Sequence, residues 1–110
     1  PGGELKHGPI ALIEDGTPVI AIAPKDTTLN LMESSIRECK ARGATIILIS
    51  DADGQINEIA DVVISTRATH HLLTPIINSI PLQLLAYSLG IAKGTNVDRP
   101  RNLAKSVTVV

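Results

Sequence analysis

The chain has no Phe and no Trp, and Tyr87 is its only aromatic residue. Base stacking on aromatic platforms is therefore excluded as a way of binding nucleic acid. Its formal net charge is -1 and its pI is about 6.3, so it offers no electrostatic footprint for nucleic acid or an anionic membrane. Cys39 is the single cysteine. No internal disulfide can form, and a lone thiol fits a reducing cytoplasm. Its place among the apolar positions of a helix reads as a core thiol. No run reaches the eighteen or so apolar residues of a membrane span, because Pro75, Asn78, Pro81 and Gln83 interrupt the longest apolar segment. No basic, then apolar leader opens the chain. It begins Pro1-Gly2-Gly3, which is read as an internal cut in a longer polypeptide.

What is present is aliphatic. Hydrophobic residues make up 44% of 110 positions, enough for the core of one small domain built from Ile, Leu, Val and Ala. Val19 to Ala23, Thr45 to Ser50 and Asp61 to Thr66 are short, nearly continuous apolar runs of strand length. Strands apolar on both faces point to a parallel sheet covered on both sides by helices. Leu29 to Arg42 has the spacing of an amphipathic helix, with Leu29, Met32, Ile36 and Cys39 on one face. Glu33/Arg37 and Glu38/Arg42 stand at i, i+4 in the favourable order, and Gly43 ends the helix. Strand, helix and strand in under about thirty residues form a βαβ unit. The fold class is therefore α/β, a doubly wound parallel sheet. Its three visible strands are few for an open sheet, so the lobe is expected to be incomplete. Residues 1–8 read as loop and Pro9 to Glu14 as a turn or two of helix. Leu72 to Lys93 reads as a buried helix, bent or restarted at Pro81.

Lys105 stands in a polar tail, Asp98 to Val110, close to Asn102, Ala104 and Ser106. An ε-amine whose pKa is lowered by burial or a cationic neighbour can form an imine with a keto sugar. On position alone a solvated lysine near a frayed end is the commoner case. His7 lies in a loop between Lys6 and Gly8, and a neutral imidazole there can give and take a proton near pH 7. His70-His71 resembles a metal pair, but adjacent side chains point apart and no third ligand accompanies them. Asp51-Ala52-Asp53-Gly54 with Glu58 departs from calcium-loop spacing and reads as an ordinary βα loop. No metal site is expected.

Four segments, in order, resemble one family: Gly3-Glu4-Leu5-Lys6-His7-Gly8-Pro9, Ile80 to Tyr87, Lys93 to Pro100, and the tail from Asp98. The family is that of glucosamine-6-phosphate synthase. The resemblance runs over essentially the whole chain and places residues 1–110 in the later part of a second sugar-isomerase (SIS) lobe, with 98–110 as an active-site tail. It implies that the parent protein converts fructose 6-phosphate and glutamine to glucosamine 6-phosphate and glutamate. Lys105 then matches the lysine that holds the open-chain sugar as an imine. His7 matches a histidine that helps open the sugar ring in the neighbouring subunit's site. Ala104 and Asn102 would line the same pocket. A phosphosugar substrate, a homodimer and a glutaminase domain earlier in the same chain are implied, with no cofactor, nucleic acid or membrane. The phosphate cradle and the isomerising glutamate belong to upstream segments of that family. Glu4 and Lys6 are read as scaffolding, bonded to backbone or to each other. A glucosamine-6-phosphate deaminase or deglycase of the same fold is the nearest rival. A non-catalytic phosphosugar-binding SIS module is a rival of another class, and Lys105 speaks against it.

Overall fold

A computed structural model describes residues 1–102. It divides into two compact units, residues 1–78 and the residues from Ser79 onward. The first unit opens with two 3₁₀ segments, Gly2–His7 and Pro9–Leu12, where loop and a helical turn were expected. Three strands follow: β1 is Pro18–Ile22, β2 is Thr45–Ser50 and β3 is Val62–Ser65. They lie parallel in the order β1-β2-β3, which bears out the parallel α/β reading. Helix α1 is Leu29–Lys40, α2 is Gln55–Ile59 and α3 is Thr74–Ala92. α3 begins in the first unit and continues into the second.

The register explains why the strands read as unbroken apolar runs. Val19 pairs with Ile46 and Ala21 with Leu48, and this face packs with Ile36 and Cys39 of α1 and Ile56 of α2. On the other face Ile20 pairs with Ile47 and Ile22 with Ile49. Ile49 is fully buried there, whereas Ile20 and Ile22 remain partly exposed. Burial pushes the Cys39 thiol up from its ordinary pKa, in keeping with a core thiol. Ile46 has no exposed surface. Ile46→Val, which deletes one methylene from this packed face, should cost about 0.5–1.5 kcal/mol, read as a lower midpoint in thermal unfolding of the full-length protein.

Polar contacts tie the elements together. Asp26 accepts from the backbone N–H and hydroxyl of Thr28, just before α1, and so fixes the entry to that helix. Of the two ion pairs expected within α1, Arg37 with Glu33 forms at 2.8 Å. The second does not, because Arg42 donates to the backbone carbonyl of Glu38, leaving the Glu38 carboxylate for another partner. Asp61, just before β3, takes the Lys40 ammonium at the end of α1 and the backbone N–H of Ile46 in β2. The Lys40 hydrogen bond and then the Ile46 N–H hold its carboxyl below the ordinary value of 3.8. A depressed folded pKa means the stabilisation is present above the unfolded value and is lost as pH falls through the folded one. Asp61→Asn should therefore lower the unfolding midpoint at neutral pH. The difference from the parent should close as pH drops below about 4 in a pH series of thermal melts.

α3 differs from expectation in two ways. It runs through Pro81 without a break, since one missing N–H is offset by good helix formers on its C-terminal side, Leu82 to Ala86. Asn78 is its only buried residue, and Ile80, Leu84, Tyr87 and Ile91 are exposed. Among the described residues it is the one helix long and apolar enough to cross a membrane by length and composition.

Candidate active site

His7 is the last residue of the first 3₁₀ segment, and its side chain is exposed. No hydrogen bond or ion pair holds its imidazole among the described residues, so the ring is open to a proton donor or acceptor. Its backbone, by contrast, is anchored. The next residue, Gly8, has φ 154° and ψ -56°, a conformation L side chains rarely adopt. The chain can therefore turn sharply after His7 only with glycine there. Leu5 is partly buried against the core, and the Ser35 hydroxyl of α1 donates to the Gly2 carbonyl at 3.2 Å. A Cβ on Gly2 would fall 2.7 Å from the Met32 sulfur, so the segment lies close on α1. Lys6 does not pair with Glu4. Its ammonium lies 2.8 Å from the carboxylate of Glu38. The sequence reading missed this pair because two residues so far apart in the chain share no local periodicity.

The motif around Lys93 proves to be a helix terminus. Thr95 returns both its N–H and its hydroxyl to the Gly90 carbonyl, at 3.0 and 2.7 Å, and Gly94 donates to Ile91 at 2.9 Å. The Asn96 side chain then accepts from the N–H groups of Asp98 and Arg99, forming a compact turn before the tail. Asn102 is exposed in a turn at φ 65°, which asparagine tolerates better than most residues. Ala104 and Lys105 lie outside the described residues. His7 belongs to the first unit and Asn102 to the second.

Two of the cavities among the described residues of the first unit bear on a site. One of about 510 Å³ is bounded by the 3₁₀ segments, β1 and α1, and Leu5, Ile20, Met32 and Cys39 are among its lining residues. It is apolar and His7 does not line it, so it does not suit a phosphosugar. The other, about 220 Å³, sits beyond the carboxyl ends of the strands and is lined by Lys25, Asp26, Asp51 and His71, among others. Asp51 there accepts the Lys25 backbone N–H at 2.7 Å and so fastens the loop after β1 to the loop after β2. His70 accepts the Leu72 N–H at 3.3 Å in the turn before α3, and both histidines are exposed. No cluster of metal-ligating side chains occurs among the described residues.

With this geometry in hand, the comparisons with known proteins are specific. The SIS domain family model matches residues 1–93. The chain is 52% identical to a glutamine--fructose-6-phosphate aminotransferase [isomerizing] of Thermococcus kodakarensis, over 97% of this chain and 18% of that protein. Its counterpart of the same name from Pyrococcus horikoshii is 55% identical over the same shares. The chain thus spans under a fifth of the length of the curated relatives it matches. The solved C-terminal domain of glucosamine-fructose-6-phosphate aminotransferase from Francisella tularensis superposes with a TM-score of 0.79 at 40% identity. That match covers 90% of this chain and 28% of that one. The parallel sheet and its flanking helices are therefore those of a known architecture, and the chain belongs to the SIS domain family.

Proposed function

We propose that this chain is part of the isomerase region of a glutamine-dependent fructose-6-phosphate aminotransferase. The observation that carries the reading is the identity of more than half its residues, over 97% of its length, with an enzyme of that name. In the parent protein the Lys105 amine adds to C2 of open-chain fructose 6-phosphate, and water leaves to form the imine. The exposed His7 imidazole moves the proton that opens the sugar ring. Asn102 and Ala104 border the sugar. A glutaminase domain of the same polypeptide supplies ammonia, and two copies pair so that each site takes His7 from one chain and Lys105 from the other. Imine chemistry of this kind calls on neither a metal nor an organic cofactor. The protein works in the cytoplasm, without a nucleic-acid or membrane partner.

Incubating the full-length protein with fructose 6-phosphate and glutamine tests this. Glucosamine 6-phosphate and glutamate should appear in equal amounts. Sugar amination with ammonium salt but never with glutamine would point instead to a deaminase running in reverse.

A further inference from the structure

We propose that Lys6 and Glu38 are positioning residues for His7, an inference that rests on the ring-opening role given to His7 above. The segment carrying His7 is a 3₁₀ helix of six residues with no buried side chain. Such a short helix does not hold its own geometry and takes its orientation from what it is tied to. Its first turn is fixed by the Gly2–Ser35 hydrogen bond and its middle by Leu5. Among the described residues, the polar side-chain contact that fixes the end next to His7 is Lys6 to Glu38. In 3₁₀ geometry successive side chains stand about 120° apart. Lys6 is tied to α1 by this pair, and His7, one step further round the helix, is exposed.

Glu38 is free for this task because Arg42 uses the Glu38 carbonyl and not its carboxylate. It is also the more sheltered partner, 29% exposed against 62% for Lys6. A pair this open to solvent adds little to stability. Its effect should instead appear in the rate, because a proton-transfer group loses efficiency when its direction is no longer held.

The test is a mutant cycle in the full-length enzyme. Lys6→Met should lower kcat about tenfold while KM stays within about twofold and the thermal midpoint is unmoved. The swap Lys6→Glu with Glu38→Lys should recover most of what either single change loses. In a His7→Ala background Lys6→Met should have no further effect, since the group it positions is gone. A normal kcat in Lys6→Met beside a slow His7→Ala would overturn the positioning role alone. The same tenfold loss in both backgrounds would overturn it too, by showing that Lys6 acts elsewhere. An unchanged kcat in His7→Ala would overturn the ring-opening role of His7, and the positioning role with it.

Discussion

Lys105→Arg in the full-length protein should abolish conversion of fructose 6-phosphate while leaving glutamine hydrolysis measurable. Arginine keeps the positive charge and most of the length of lysine, but its guanidinium stays protonated and cannot become an imine nitrogen. If Lys105 only attracted the sugar phosphate, arginine would serve as well or better, since its planar fork suits phosphate. The substitution therefore separates covalent chemistry from electrostatics. Loss of a covalent catalytic group should lower synthase turnover by at least about a thousandfold. Glutaminase turnover, assayed in the same preparation, guards against a folding defect. Synthase activity within tenfold of the parent would reduce Lys105 to a charge contact.

The second large effect is recovery of activity. If each site draws His7 from one chain and Lys105 from the other, a dimer of one His7→Ala chain and one Lys105→Ala chain has one site with both groups and one with neither. Each parent homodimer should be slowed by about a hundredfold or more. The mixed dimer should return to roughly half the activity of the unmodified enzyme. Two differently tagged full-length chains, co-expressed and purified through both tags, supply the species to assay. Had both groups come from the same chain, every site in the mixed dimer would lack one of them, and activity would stay at the level of the parents.

The strands were legible because β2 buries both its faces, so Thr45 to Ser50 reads as one apolar run whichever way each residue points. α1 was legible for the opposite reason: Ile36 and Cys39 are buried while Arg37 is exposed. α2 was not seen, since five residues hold too little of a helical period for Ile56 and Ile59 to stand out. The start of the chain hid its 3₁₀ geometry because the contacts that fix it, Gly2 to Ser35 and Lys6 to Glu38, come from distant α1. The restart offered as one option at Pro81 does not occur, since a proline ends a helix only when the residues around it do not favour continuing. The candidate site residues came from the sequence in another way. His7 and Lys105 are each unremarkable as isolated residues, and the ordered resemblance of four segments singled them out.

Trapping the imine tests the account at its centre. The full-length protein would be incubated with fructose 6-phosphate, reduced with borohydride, digested and mapped by mass spectrometry. The account predicts a stable adduct of the reduced sugar phosphate on Lys105, formed only when both sugar and borohydride are present and absent from Lys105→Arg. An adduct on a different lysine, or none under conditions where the enzyme turns over, would contradict it.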